Sequence, residues 1–328
     1  MRYKHLKRAD MDVSCLAIGT WQIGGAGYGE VEDAESVEAI RTAIENGVNL
    51  IDTAPAYGDG HAEKVVGEAI KGLDRSKIFI STKGCIGSTS LKFKKTKEKG
   101  FVRDGSFENV LYECEQSLRR LGTDYIDFYF VHWPDYVPNF EDTARGLQVL
   151  KDEGKIRFVG VSNFSKEQIE EIGKYIQIDV IQPPFSMLDK RDEELIKWAN
   201  EQGIDSFTYG SMGAGILSGK YRTVPEFGPN DPRNNFYPYF KEPDFSKVMK
   251  LLEVMDKIAD RENKPLIDVA LNWTAQNEYV SVCLCGVRNR KQALQDCEAF
   301  SWKLTDQDIS DINDAIDRYI DFNSAPRF

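Results

Sequence analysis

The chain reads as an α/β protein: one (β/α)8, or TIM, barrel over residues 1–328, with an N-terminal hairpin and two extra helices. Three observations predict it. Short apolar runs alternate with amphipathic stretches from end to end, the order that yields parallel strands with helices outside. The apolar runs number eight, the count that closes a barrel. Glycine stands at helix ends, where a left-handed cap is wanted.

In order, the apolar runs lie at 16–18, 50–51, 78–81, 126–131, 158–161, 180–181, 205–208 and 280–284. Helical patterns fall between them at 34–46, 62–71, 107–121, 143–153, 166–175, 191–202 and 266–276. Asn46-Gly47, Glu153-Gly154 and Gln202-Gly203 each close a helix. Ser165 followed by Gln168 has the spacing of a capping box. The segment containing His5 is expected to pair with 11–14 as a hairpin at the barrel bottom. Two insertions, 84–105 and 221–244, follow strands and so belong on the face where barrel active sites form. Two further helices, near 245–261 and 305–320, lie outside the repeat.

The composition, 41% hydrophobic and 29% charged, suits a globular chain with a sizeable core. A formal net charge of −11 disfavours nucleic acid and anionic membranes as partners. No run reaches the roughly 20 apolar residues that span a bilayer, and Met1 to Asp10 lack a signal-peptide core. The six cysteines show no disulfide spacing, and with three histidines in the chain no metal site is expected. The chain is expected to be a cytoplasmic monomer.

In a barrel, unusual residues at the carboxyl ends of strands are site candidates. Those ends carry Gly19-Thr20-Trp21, Asp52, Lys83, His132, Ser162-Asn163, Gln182, Tyr209 and Gly286. Tyr57 follows Asp52 in the turn Asp52-Thr53-Ala54-Pro55-Ala56-Tyr57-Gly58. Barrel closure brings Asp52, Tyr57, Lys83 and His132 together. A phenol titrating near 10 is a weak acid at neutral pH, and a nearby ammonium would lower that pKa. A carboxylate would keep the buried lysine charged, and an imidazole would orient a carbonyl. Singly, Asp52 reads equally as a turn cap, Lys83 as a surface lysine and Tyr57 as packing; their joint placement carries the argument.

Six blocks, in this order, resemble the aldo-keto reductase superfamily over essentially the whole chain. They are Ile51-Asp52-Thr53-Ala54-Pro55-Ala56-Tyr57-Gly58, Ser81-Thr82-Lys83, and Leu121-Gly122-Thr123-Asp124-Tyr125-Ile126-Asp127. Val131-His132-Trp133-Pro134-Asp135, the run Gly154-Lys155-Ile156-Arg157-Phe158-Val159-Gly160-Val161-Ser162-Asn163-Phe164, and Gln182-Pro183-Pro184-Phe185-Ser186 follow. The nearest likeness is to the bacterial type that resembles potassium-channel β subunits. The resemblance implies NADP(H), with NAD(H) as the alternative, bound extended on the barrel. It implies Asp52, Tyr57, Lys83 and His132 as catalytic residues, and reduction of an aldehyde or ketone, or the reverse, with Tyr57 as general acid or base.

By the same resemblance Ser162, Asn163 and Gln182 hold the nicotinamide carboxamide, Tyr209 stacks on its ring, and Thr20, Trp21 and Asp52 lie beside it. The substrate, a small carbonyl or alcohol, lies among Trp21, Tyr57, His132 and Trp133. The pyrophosphate follows Gly210, Ser211, Met212, Gly213, Gly215, Leu217 and Lys220; Ser211 and Met212 depart from the family's proline and leucine. The adenosine end meets Gly286, Arg288, Gln292 and Asp296, an acid where the family often has asparagine.

Other signals carry less. Gly25-Ala26-Gly27-Tyr28-Gly29 lacks the spacing of a dinucleotide loop, and His61 reads as a helix start. The cations Lys92, Lys94, Lys95, Lys97, Lys99 and Arg103 read as a solvated loop, or as one that reaches over the site and favours anionic substrates. The aromatics Phe227, Phe236, Tyr237, Tyr239 and Phe240 form either a lid or rim packing. Two rival functions are a Schiff-base lyase using Lys83 and a cofactor-binding regulatory module.

Overall fold

The computed structural model describes residues 1–25, 32–92, 102–135, 139–229, 231 and 233–322. Two strands, β1 (Tyr3–Leu6) and β2 (Met11–Ser14), pair antiparallel. Their inward residues Leu6 and Val13 are fully buried against Ala17, Leu50, Phe128, Phe207 and Val282. The hairpin therefore stoppers the amino-terminal end of the barrel, as expected.

Eight parallel strands follow: β3 (Leu16–Gly19), β4 (Leu50–Asp52), β5 (Phe79–Gly84), β6 (Ile126–Val131), β7 (Ile156–Ser162), β8 (Val180–Gln182), β9 (Asp205–Thr208) and β10 (Val282–Gly286). Each pairs with the next, and β10 returns to β3, with Cys283 opposite Leu16 and Gly286 opposite Gly19. Closure leaves no open sheet edge. Phe128, Phe130 and Phe207 fill the interior, with Phe128 and Phe207 edge to face at 5.0 Å. Their bulk dictates a small neighbour, since a Cβ at Gly160 would come within 2.3 Å of the Phe130 ring.

Outside the strands run α1 (Asp33–Glu45), α2 (His61–Ile70), α3 (Phe107–Leu121), α4 (Phe140–Asp152), α5 (Lys166–Ile172) and α6 (Glu193–Glu201). Along α3 the buried residues Val110, Cys114, Leu118 and Leu121 recur at helical spacing, so one face meets the barrel. Gly47, Gly154 and Gly203 all take positive φ, and the Ser165–Gln168 capping box is formed. Four further long helices are α7 (Asp244–Glu262), α8 (Leu266–Gln276), α9 (Arg290–Ala299) and α10 (Asp306–Tyr319). Of these, α7 and α10 are the two expected extra helices. They share a second apolar cluster with Phe185, Tyr239 and Phe240.

The two insertions differ. In the later one, Phe227 meets Phe240 at 4.9 Å and Tyr239 and Phe240 are buried, so these aromatics pack on the rim. In the earlier one, the two arms pair: Gly87 N donates to Val102 O (2.8 Å) and Asp104 N to Cys85 O (3.0 Å). Lys94, Lys95, Lys97 and Lys99, like Ala26, Gly27, Tyr28 and Gly29, lie outside the described residues. Among the described residues no helix is long and apolar enough to cross a membrane, and no cluster of potential metal ligands occurs.

Candidate active site

Strand alternation points Ser81 and Lys83 of β5 inward together, and β4 delivers Asp52 beside them. Lys83 Nζ donates to Asp52 Oδ2 (2.7 Å) and to the Thr53 carbonyl (2.8 Å), with the lysine fully buried. The other carboxylate oxygen of Asp52 accepts from Ser81 Oγ and from Gln182 Nε2, both at 2.8 Å. Burial lowers the Lys83 pKa and the Asp52 charge opposes that fall. The ion pair is thus saturated by hydrogen bonds, the condition under which a buried pair is tolerable.

Tyr57 sits above this pair on the β4–α2 turn, its ring centroid 5.0 Å from Lys83 Nζ. The turn is locked by a close backbone approach: Gly58 has φ +64, and a Cβ there would lie 2.4 Å from Gly24 O. His132 follows β6 and packs edge-on against Tyr57, centroids 5.9 Å apart. Burial raises the Tyr57 pKa well above 10, with the Asp52 charge adding to it. The sequence-based expectation was a lowered value. It fails because burial, the larger cause, and the Asp52 charge both push the value upward, outweighing the Lys83 ammonium that Asp52 pairs at 2.7 Å. Burial, then Lys83, holds His132 well below the ordinary imidazole range. Its Nδ1 is buried with no hydrogen-bond partner among the described residues. The site therefore offers a protonated phenol beside a neutral imidazole.

Next to this group runs a hydrogen-bonded wall. Tyr209 OH donates to Asn163 Oδ1 (2.8 Å), and Asn163 Nδ2 to His132 O (3.0 Å) and Ser162 Oγ (3.1 Å). Ser162 Oγ donates to Gln182 O (2.9 Å). Asn163 adopts φ +63, a left-handed geometry that asparagine tolerates. Gln182 spends its amide N–H on Asp52, which leaves Oε1 to meet a ligand. On the opposite side Thr20 donates through N and Oγ1 to Asp52 O, both at 3.0 Å. Trp21 follows on a single turn (Trp21–Gly24) and is 39% exposed, while Trp133 is buried.

After β9 the chain turns through Gly210 (φ +81), Gly213 (+53), Ala214 (+52) and Gly215 (+93), and Lys220 Nζ lies 3.6 Å from where a Gly215 Cβ would be. Successive left-handed residues curl backbone amides into a concavity suited to anions. Ser211 is buried, its Oγ accepting from the Cys283 thiol (3.1 Å), and Leu217 is buried in the core, so either would face a ligand through backbone. Met212 also packs against apolar core. After β10, Gly286 is exposed, and Arg288 N donates to Gln292 Oε1 (2.9 Å) while Arg290 reaches toward Glu38 (3.7 Å). Asp296 is buried; its Oδ1 has no hydrogen-bond partner among the described residues, the carboxyl shares a hydrogen bond with Cys285, and burial pushes its pKa to about 7.

Strand-end residues thus gather on one face, from Thr20 round to Gly286. Sequence reasoning missed Ser81, whose two-residue spacing from Lys83 is the signal that would have found it. It also missed Thr53, whose carbonyl holds Lys83, a backbone contact with no sequence signal.

Comparison with known proteins agrees with this arrangement. The Aldo/keto reductase family model matches residues 15–317. Aldo-keto reductase YhdN of Bacillus subtilis is 36% identical over all of this chain and 97% of its own. The NADH-specific methylglyoxal reductase of Escherichia coli is 32% identical, covering 93% of this chain and 95% of the relative. The glycerol dehydrogenase AKR11B4 from Gluconobacter oxydans superposes with a TM-score of 0.86 at 32% identity, over 100% of this chain and 98% of that one. With its eight-stranded barrel and these matches along its length, the chain belongs to the aldo/keto reductase family.

Proposed function

We propose that this single-domain oxidoreductase reduces a small aldehyde or ketone to an alcohol, or runs the reverse, with NADP(H) as the preferred cofactor. The observation that carries the reading is the buried Asp52–Lys83 pair beneath Tyr57, with His132 at its edge. A nicotinamide held by Ser162, Asn163, Gln182 and Tyr209 would supply the hydride chemistry at the carbonyl carbon, in either direction. Tyr57 gives its phenolic proton to the carbonyl oxygen, and its raised pKa keeps that proton in place beforehand. Lys83 lies close enough to stabilise the phenolate left behind, and Asp52 holds the ammonium in position. The buried Nδ1 of His132 has no partner among the described residues, and whichever nitrogen of the neutral imidazole carries the proton can donate to a carbonyl oxygen. Trp21 and Trp133 border the substrate and exclude water.

The residues fit a dinucleotide. Ser162, Asn163 and the Oε1 of Gln182 would hold the carboxamide, Tyr209 the ring, and Thr20 and Trp21 the near side. The left-handed turn from Gly210 through Gly215 to Leu217, with Lys220, would take the pyrophosphate. Gly286, Arg288, Gln292 and Asp296 would take the adenosine end, with Arg288 as the planar fork for a 2′-phosphate. The names of two relatives, for methylglyoxal reduction and glycerol dehydrogenation, favour a short polar substrate. The Schiff-base alternative loses ground because Lys83 is fully buried and doubly hydrogen-bonded.

Titration with NADPH and NADH, followed by tryptophan fluorescence, tests the reading. Tighter binding of NADPH, reversed in Arg288→Gln, is expected; failure of both dinucleotides to bind would end it.

A further inference from the structure

We propose that Glu113, a fully buried acid on the barrel-facing side of α3, is a positioning residue for His132. The catalytic half of the inference rests on the reading of the site as a carbonyl reductase. One peptide joins the two residues. Its N–H, that of Cys85, donates to Glu113 Oε2 (2.5 Å), and its carbonyl, that of Gly84, accepts from His132 N (3.1 Å). Glu113 therefore sets the tilt of the amide from which the His132 backbone hangs. Hydrogen bonds at the two ends of one amide polarise it and strengthen each other.

That peptide does not keep its geometry unaided. Cys85 has φ +72, a left-handed value that strains a residue with a side chain and persists only where the surroundings over-determine it. Glu113 supplies the contact on one side. On the other, Cys85 O accepts from Asp104 N (3.0 Å), and Asn109 Nδ2 donates both to Asp104 O (2.7 Å) and to Glu113 Oε2 (3.0 Å). Thr89 Oγ1 closes the cluster on Glu113 Oε1 (2.7 Å). The anchorage also reaches the tyrosine. A Cβ at Gly87 would touch the Ala56 methyl at 3.8 Å, and Ser88 Oγ donates to Asp59, two residues past Tyr57. On the returning arm Arg103, bridged to Ile86, lies over the ring of Trp133, 5.2 Å from the centroid. Trp133 directly follows His132. One side chain of α3 thus fixes the start of an insertion that braces both His132 and the Tyr57 turn.

The test reads geometry and turnover separately, on the full chain. With three histidines in the sequence, the Cε1–H proton resonance of His132 is assigned by its loss in His132→Asn. The Tyr57 ring, edge-on at 5.9 Å, shifts that resonance, and Tyr57→Leu gives its value without the ring. Spectra are taken at about pH 6, where the Glu113 carboxyl, pushed up to about 7 by burial, is largely protonated. Glutamine is then its isostere, able to accept from Cys85 N and Asn109 Nδ2 and to donate to Thr89 Oγ1. Glu113→Ala should move the His132 resonance, and Glu113→Gln should leave it in place. Glu113→Asp, which withdraws the acid by one methylene, should move it in the same direction and serves if the alanine variant does not fold.

Turnover is followed with the best substrate of a panel of small aldehydes and saturating reduced dinucleotide. Glu113→Ala should lower kcat about 10- to 100-fold, the scale of a misplacement of roughly 1 Å, and Glu113→Gln should restore it. Dinucleotide affinity, read by tryptophan fluorescence, should hold in every variant, whereas a merely structural role would lower it together with kcat. Where aldehydes are reduced, an unmoved resonance, an unchanged kcat, or affinity falling in step with kcat overturns the proposal and leaves the reductase reading standing. A resonance that follows Glu113 in a protein that reduces no aldehyde with either dinucleotide would sustain the positioning of His132 and sink the reductase reading.

Discussion

Lys83 has been taken out of water completely, a placement that costs several kcal/mol unless a counter-charge and further acceptors meet the ion. Asp52 and the Thr53 carbonyl meet it, and Ser81 and Gln182 in turn hold Asp52. Ser81→Ala removes one of two donors to a single carboxylate oxygen. It should cost about 1 kcal/mol in stability and lower kcat about tenfold, measurable by thermal unfolding and steady-state kinetics. Tyr57→Phe leaves the packing intact and deletes the proton. Turnover should fall about a hundred- to ten-thousand-fold while dinucleotide binding persists; comparable loss of binding would assign Tyr57 a different role.

At the scale of elements, the Tyr57 turn depends on backbone contact more than on side chains. Gly58→Ala places a methyl 2.4 Å from Gly24 O at a φ of +64, so the turn must shift. The expected result is a kcat loss larger than the stability loss, about 1–3 kcal/mol, would account for through unfolding alone. The loop after β5 hangs on one buried acid. Glu113 of α3 accepts from Cys85 N (2.5 Å), Thr89 Oγ1 (2.7 Å) and Asn109 Nδ2 (3.0 Å), with its pKa pushed up to about 7 by burial. A carboxyl whose folded pKa exceeds its unfolded value of 4.5 stabilises the protein below that value. The benefit disappears as pH rises through 7, and the full swing is on the order of 3 kcal/mol. Glu113→Gln should flatten that part of the profile of unfolding free energy against pH.

For the whole molecule the same sign recurs. Asp296 is pushed to about 7 and Asp268 to about 6, both chiefly by burial, and both favour the folded state on the acid side. Asp308 and Asp321 are lowered and act oppositely, withdrawing stability only as pH falls through the ordinary carboxylate range. The raised carboxyls lose their contribution as pH climbs from about 4 to 7. His132, held below the ordinary imidazole value of 6.5, withdraws stability as pH falls below that value. The melting temperature should therefore peak on the acid side of neutrality and decline toward about pH 8. A maximum above pH 7 would contradict these assignments. Thermal unfolding of Asp296→Asn, which lacks the titrating group, should show a smaller decline.

All eight barrel strands were legible in the sequence, because apolar periodicity and glycine caps are local signals. The candidate site was legible for a related reason. A parallel barrel puts the carboxyl ends of all its strands on one face, so Asp52, Lys83, His132 and Gln182 could be listed before any distance was known. The sequence alone thus determined the barrel, the hairpin, the two extra helices and the roster of polar residues at the mouth. Tertiary structure decided what those residues do to one another. The direction of the Tyr57 shift, the hold of Ser81 and Gln182 on Asp52, and the seating of Arg103 over Trp133 all depend on burial and on contacts between distant segments. Burial and long-range contact set the local field at a charge, and neither has a sequence period to read.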